Sequence, residues 1–186
     1  MDSLNRPNFK ENYFSDRILK YIIDIVVVVM LVILFITSMA YTATVKGSAM
    51  SPMINADNNI VINKLSYKIL SPKRGDVVAF TLQGDEETVL ARRVVALPGD
   101  SIVIKDGKLY INGEEQDLIE NEDNIVTDGI LKNELVLDKD EYFVVGDNWN
   151  SSTDSRYVEI GPISKKDIIG KVWFVISPIS DFGFVN

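Results

Sequence analysis

The sequence predicts a mainly β protein, an irregular barrel-like sheet tethered by one N-terminal transmembrane helix. Two observations lead to this prediction. Residues 25–40 are uncharged, and apolar residues on both sides extend this run to the length of about 20 residues that a membrane-spanning helix needs. The remainder of the chain contains short β-branched and aromatic segments separated by turn residues, whereas helical periodicity there is weak.

The apolar run divides the chain into three predicted parts. Residues 1–20 form a cytoplasmic N-terminus, residues 21–43 a transmembrane anchor, and residues 44–186 an extracytoplasmic domain. The first part carries four Lys and Arg against three Asp and Glu, a mild positive bias that keeps an N-terminus inside the cell. The alternative is a cleavable signal peptide, with Ser38-Met39-Ala40 as a small-x-small site. We favour a retained single-pass anchor in the cell membrane, because the segment before the run is long.

The domain is predicted to consist of short strands bounded by turn residues. Gly84-Asp85 closes one predicted hairpin, and Asp106-Gly107, a strong hairpin signal, closes another. Lys64–Ile69 is expected to form at most two turns of helix. Gln116–Asn133 is acidic and is predicted to be a solvated excursion rather than a metal site, since it has no ligand spacing. The predicted strands are Asp76–Gln83, Glu87–Leu97, Ser101–Lys105, Lys108–Asn112, Glu134–Leu137, Tyr142–Gly146 and Ile168–Ile176.

The composition excludes several kinds of chemistry. The 186 residues include no Cys and no His, which excludes disulfides, thiolate nucleophiles, Ser-His-Asp triads and most transition-metal sites. The net charge of −8, all of which falls in residues 42–186, argues against nucleic-acid binding. Any hydrolysis must therefore use Ser, Thr, Lys or carboxylates, and we expect no metal and no cofactor.

Four segments beyond the apolar run carry recognisable motifs. Together with the run before them, and in this order, they resemble the boxes of type I signal peptidases, and the resemblance covers nearly the whole chain. It implies a largely β catalytic fold at the outer face of the membrane, which cleaves signal peptides after small-x-small sites with a Ser/Lys dyad. The segments are VKGSAMSPMI (Val45–Ile54), RGDVVAF (Arg74–Phe80), RRVVALPGD (Arg92–Asp100) and GDNWNSSTDSRYVEIGPI (Gly146–Ile163).

The first motif lies where a signal peptide would be bound, because it follows the apolar run by only a few residues. Gly47 would let the backbone approach a substrate closely, and Pro52 would fix the turn that follows. In the family, the residue corresponding to Met50 lines the pocket for small side chains. The predicted substrate-binding residues are Gly47, Ser48, Met50 and Pro52.

The two reacting positions of the resemblance hold other residues in this chain. Ala49 stands where the family has its nucleophilic Ser, and Arg92 stands where it has its general-base Lys. A buried Lys can lose its proton and activate a Ser, but an Arg with a pKa of about 12.5 is neutral in only roughly 10⁻⁵ of molecules or fewer at pH 7. The resemblance also implies a Ser that hydrogen-bonds the Lys, here Ser152, and a supporting pair, here Asp154 and Arg156. We therefore predict that the residues which support the site, here called the frame, are preserved while the two reacting groups are missing.

Nearby residues are poor substitutes for the missing dyad. Ser48 and Ser51 flank Ala49, but a slip of one residue in an extended segment turns a side chain to the opposite face, and turn chemistry explains both. No Lys adjoins Arg92, and Lys73 and Lys105 belong to other segments. For Arg92 itself, an ion pair with a carboxylate such as that of Asp154 is expected before any catalytic role.

Three interpretations of the substitutions remain. Met53, Ala96 and Trp149 replace residues usual in the family, and this scattered drift favours natural divergence over an active signal peptidase engineered to be inactive. Signal-peptidase-like proteins without the dyad are known in some Gram-positive pilus gene clusters, where they assist pilin assembly. We expect a membrane-bound accessory whose partners are signal peptides, pilin or other secreted precursors. The other alternative is a β scaffold whose groove is vestigial.

Overall fold

The described residues of the N-terminal unit form one helix. The computed structural model describes residues 9–82, 84–116 and 125–185, and the chain divides into this helix and a β unit that begins at Ala40. Helix α1 spans Phe9–Met39, and within it the 20-residue stretch Asp16–Phe35 is long and apolar enough to cross a membrane. Large aliphatic side chains cover this stretch and remain exposed, as a lipid-facing helix requires. Residues 1–8 of the predicted cytoplasmic segment lie outside the described residues.

The helix gives way directly to a strand. Strand β1, Ala40–Thr44, pairs antiparallel with β2, Asn59–Asn63, so that Ala40 lies opposite Asn63. Residues 40–43 were predicted as the end of the anchor, whereas the structure places them in this strand. The alternating small and β-branched residues of β1 suit a strand, and β2 supplies their backbone partners. The division into three parts stays a prediction.

The β unit contains two sheets and a short helix α2, Ser66–Ile69. The larger sheet has the order β1-β2-β11-β3-β4-β9-β10, with β12 on β11, and the smaller has the order β7-β6-β5-β8. All pairings are antiparallel. The remaining strands are β3 Val77–Leu82, β4 Asp85–Ala96, β5 Ser101–Lys105, β6 Lys108–Ile111, β7 Glu114–Gln116, β8 Leu135–Val136, β9 Glu141–Val145, β10 Ile163–Ser164, β11 Ile168–Ser177 and β12 Gly183–Phe184.

The predicted fold class, mainly β with one N-terminal helix, is confirmed. Each predicted strand overlaps an observed one, and the β5–β6 hairpin closes at Asp106 and Gly107 with φ of 50° and 74°. Positive φ at both residues is what a type I′ turn requires, and it explains the strength of the Asp-Gly signal. The predicted short helix is also present as α2.

The acidic segment Gln116–Asn133 was predicted to be solvated, and this prediction is wrong at two positions. Ile125 and Leu131 are buried, Leu131 completely, in a core cluster that also contains Phe143 and Trp149. Leu131 lies in a 3₁₀ turn, Gly129–Lys132. These two apolar side chains therefore pack the segment against the rest of the fold. Their burial could not be predicted from composition, because most of the residues around them are acidic or polar. Residues 117–124 lie outside the described residues.

A second core cluster fixes the loop between β1 and β2, residues 45–58. Val45, Met50 and Ile54 of the loop pack with Val77 and Ala91 of the larger sheet. Backbone hydrogen bonds join the two ends of the loop, from the Val45 N–H to Asn58 O at 2.8 Å and from the Asp57 N–H to Val45 O at 2.9 Å. The loop that carries the first sequence motif is therefore held at both ends and through its buried side chains.

Candidate functional site

The loop 45–58 presents a short backbone segment around Ala49. Gly47, with φ of 83°, and Ser48 are exposed, whereas Ala49 and Met50 are buried. Pro52 is exposed on the far side of the turn. The apolar side chain of Met50 enters the core and fixes the loop at this point. Ser48 is therefore close to Ala49 in sequence but lies at the solvent side of the loop.

Gly146 is the point at which three segments meet. It follows β9, and a Cβ atom on it would collide with the Ala49 carbonyl oxygen and with the side chain of Ser152. The Ala49 carbonyl also accepts a hydrogen bond from the Asn148 N–H at 3.0 Å. Only glycine allows this close approach. The sequence motif containing Gly146 therefore brings Ala49 and Ser152 together.

Arg92 lies beside the same segment, buried except for 6% of its surface. Its Nε and Nη2 atoms donate to the Thr153 carbonyl at 3.0 and 2.6 Å, and its Nη1 donates to the Ala91 carbonyl at 2.6 Å. Burial lowers the pKa of Arg92 and the negative charge of Asp154 raises it, with a net value below the ordinary one. Arginine nevertheless keeps its proton in proteins, so Arg92 is a buried cation.

The prediction of an ion pair between Arg92 and Asp154 is wrong, because Arg92 forms no ion pair with any described residue. Asp154 instead forms a bidentate pair with Arg156, through Nε–Oδ1 and Nη2–Oδ2 contacts that are both 2.9 Å long, and neither side chain is exposed. The Gly146 N–H donates to Asp154 Oδ2 at 3.2 Å. Because these partners occupy both carboxylate oxygens, the Arg92 guanidinium binds the neighbouring backbone carbonyls.

Arg156 extends this pair into the surrounding chain. Its guanidinium donates to the Trp149 carbonyl and, at 3.3 Å, to the Thr127 carbonyl, and it lies 5.1 Å from the centre of the Trp149 ring. The Arg156 carbonyl in turn accepts the Ile130 N–H at 2.9 Å. Trp149, a departure from the family pattern, is therefore packed into the frame.

Ser152 has a buried hydroxyl, with 4% of the residue exposed, and this oxygen has no hydrogen-bond partner among the described residues. A buried polar group without a partner costs about 1–3 kcal/mol. The resemblance implies that a Lys amine would be the partner of this hydroxyl. In this chain the Arg92 guanidinium binds elsewhere, and the hydroxyl is left unused.

Two further contacts hold the loop, and the sequence analysis did not identify them. Arg93 pairs with Asp147 at 2.7 and 2.8 Å and contacts Met53 Sδ at 3.0 Å, which places a second departure from the family pattern within the frame. Asp181 accepts hydrogen bonds from the side-chain amides of Asn55 and Asn58 at 3.1 and 2.9 Å. These partners are far apart in the chain, so no local pattern indicates them.

The remaining candidates are not brought together. The Ser51 hydroxyl donates to Asn55 Oδ1 at 2.9 Å, which is the turn role expected of it, and Lys73 and Lys105 are both exposed. In the described part of the chain, no Lys hydrogen-bonds to Ser48, Ser51 or Ser152. Nor do the described residues contain a group of three or more acidic side chains that could hold a metal.

Comparisons with known proteins give a matching family model, similar proteins and a similar solved structure. The family model described as signal peptidase, peptidase S26, matches residues 18–177. Signal peptidase IB of Staphylococcus aureus (strain COL) is 33% identical over 183 residues, 89% of this chain and 93% of its own. Signal peptidase I V of Bacillus subtilis (strain 168) is 33% identical over 139 residues, 69% and 80% of the two chains. A crystal structure of a signal peptidase I from Enterococcus faecalis V583 aligns with a TM-score of 0.44 and 28% identity, over 54% of this chain and 96% of that one.

Removal of the Asp154 carboxylate should destabilise the β unit strongly. Asp154→Ala leaves Arg156 buried without its counter-ion, and breaking a buried pair in this way costs about 3–5 kcal/mol. Denaturant unfolding of the full chain in detergent micelles measures the loss. Glu115→Ala is the matched control, because it breaks the exposed pair with Lys108 and should change the free energy of unfolding little. Equal losses in the two variants would contradict a central role for the buried pair.

Proposed function

The chain belongs to the signal peptidase family, peptidase S26, and we propose that it binds the signal-peptide segments of secreted precursors without cleaving them. The observation that carries the proposal is the identity of the residues at the two reacting positions of the family pattern. Ala49 supplies no nucleophile, and Arg92 is a buried cation that is already hydrogen-bonded to backbone carbonyls.

Hydrolysis by a Ser/Lys mechanism needs both groups. The Ser oxygen attacks the scissile carbonyl while the neutral amine accepts its proton. Loss of a serine nucleophile typically costs on the order of 10⁶ in kcat. Arg92 adds a second loss, because a guanidinium that stays protonated cannot act as a base.

Several features support retained binding. The Ala49 carbonyl is held by the Asn148 N–H, and the Ala49 N–H donates to no atom in the described part of the chain. A free backbone N–H at this position is available to an extended peptide, through strand addition or as a donor to a carbonyl oxygen. In this proposal small residues are preferred nearest Ala49, as the small-x-small sites cleaved by the family imply.

The contacts made by Met53, Ala96 and Trp149, the residues that differ from the family pattern, also favour a binding accessory over a vestigial scaffold. Met53 contacts Arg93, Trp149 packs against Arg156, and Ala96 is completely buried in the core. Each of these three residues is therefore accommodated by contacts with its surroundings. The partner class is a signal peptide or another secreted precursor, and a pilin is the partner implied by relatives that lack the dyad.

The topology follows the family arrangement in this proposal. Residues 21–43 anchor the chain, with residues 1–20 in the cytoplasm and residues 44–186 outside. Lys and Arg predominate slightly before the apolar run, as the positive-inside rule requires. The loop 45–58 would then follow the anchor by only a few residues of sequence, on the side of the membrane where signal peptides emerge.

Protease protection tests this orientation. Protease added to intact spheroplasts should remove the β unit while an N-terminal epitope stays protected. Detergent is the control, because it should expose both ends. A β unit that is protected in intact spheroplasts, or a mature chain that begins at Tyr41, would refute the retained N-in anchor.

Restoration of the dyad tests the loss of chemistry. We expect no cleavage of an Ala-x-Ala precursor by the unmodified chain, and almost none by Ala49→Ser or Arg92→Lys alone, because each lacks one of the two groups. Ala49→Ser combined with Arg92→Lys should restore turnover, at least about 100-fold above either single variant, since the groups act as a unit. Mass spectrometry of the precursor measures cleavage directly.

Two results would change the interpretation. An inactive double variant that remains folded would favour the vestigial scaffold, because the surrounding geometry would then also be lost. Robust cleavage by the unmodified chain, abolished by Ser48→Ala, would contradict the proposal and make Ser48 the nucleophile.

A further inference from the structure

The charges at the site do not balance. Arg92 and Arg156 are both buried, and Asp154 is the carboxylate beside them. Arg156 takes both oxygens of that carboxylate, while Arg92 binds only the neutral carbonyls of Thr153 and Ala91. A buried charge without a counter-ion is costly. The site therefore has an excess of one positive charge, although the chain as a whole carries −8.

Unused hydrogen-bond donors lie on Arg92 itself and on the neighbouring segments. A guanidinium has five N–H groups, and Arg92 uses Nε and one N–H on each of its two terminal nitrogens, which leaves two. The Ser152 hydroxyl has no partner among the described residues, and neither does the Ala49 N–H. Ala49 and Ser152 meet at Gly146, and Thr153, the next residue, holds Arg92. The free donors thus come from three segments that contact one another.

A carboxylate is the ligand that fits these donors. It carries the missing negative charge, and its two oxygens accept several charge-assisted hydrogen bonds in the planar arrangement that a guanidinium favours. The amide of an uncut peptide offers one neutral oxygen and leaves the charge of Arg92 unbalanced. The loop that carries Ala49 is also the segment assigned above to peptide binding.

We propose that this site binds the free C-terminal carboxylate of a peptide that ends in a small residue, in preference to the same sequence in an uncut chain. The inference rests on the proposed function and specifies the form of its ligand. Such a peptide end is the product of precursor hydrolysis. An active peptidase acting on the same precursors must therefore supply it, because this chain lacks the nucleophile to do so.

Two peptides that differ only at the C-terminus test the proposal. One Ala-x-Ala peptide has a free acid and the other a carboxamide, and both carry the same fluorescent label at the N-terminus. Their affinities for the full chain in phosphatidylcholine nanodiscs are measured by fluorescence anisotropy, in a bilayer whose neutral charge favours neither peptide. We expect the acid to bind on the order of tenfold more tightly or better, as charge-assisted hydrogen bonds require.

Variants identify the group responsible. Arg92→Gln should remove the preference for the acid. Arg74→Gln is the matched control, since it removes an Arg from a partly exposed pair with Asp100 and should leave the preference intact. If Arg92→Gln does not fold, the comparison of acid and amide on the unmodified chain still decides the question.

Each contrary result has a distinct meaning. Equal affinity of the two peptides overturns this inference and leaves the proposed function standing, whereas binding of neither peptide contradicts the proposed function itself. A preference that survives in folded Arg92→Gln overturns the assignment to this site. Displacement of the acid peptide by acetate at equal concentration would show that any carboxylate suffices, and would overturn the assignment to a peptide end.

Discussion

The buried pair of Asp154 and Arg156 is the interaction on which the site depends. It connects the Gly146 backbone and the Trp149 carbonyl, which lie in one segment, with the Thr127 carbonyl of another. A buried ion pair is stable only when additional hydrogen bonds satisfy both partners, and here both oxygens and several guanidinium N–H groups are bound. The pair therefore fixes the segment that contains Ser152 and Thr153, against which the other candidate residues lie.

The sequence predicts the parts of this structure that depend on local chemistry. The Asp106-Gly107 turn needs only two residues with positive φ, and α1 needs only length and apolar composition. Residues 40–43 of β1 were predicted as part of the anchor, because their uncharged side chains continue the apolar run. Only their pairing with β2 shows that they form a strand. The burial of Leu131 could likewise not be predicted, because the segment around it is acidic.

The candidate site shows the same division. The motifs indicated that Ala49, Arg92 and Ser152 belong to one site. The structure brings Ala49 and Ser152 together at Gly146 and bonds Arg92 to Thr153, the residue after Ser152. The partner of Arg92 could not be predicted, because the choice between the Asp154 carboxylate and the Thr153 carbonyl depends on which guanidinium reaches the carboxylate in the folded chain. The contact of Asp181 with Asn55 and Asn58 has no sequence signal at all, since it joins residues more than 100 positions apart.

The central claim is that the frame around Ala49 binds a peptide and leaves it uncut. Titration of an Ala-x-Ala peptide into the isotope-labelled full chain in nanodiscs, followed by NMR of the backbone amides, tests this claim most directly. Binding at the site should shift the amides of Gly47–Met53, while the peptide recovered afterwards has its original mass. Shifts confined to residues remote from this loop, or a peptide recovered as fragments, would contradict the account.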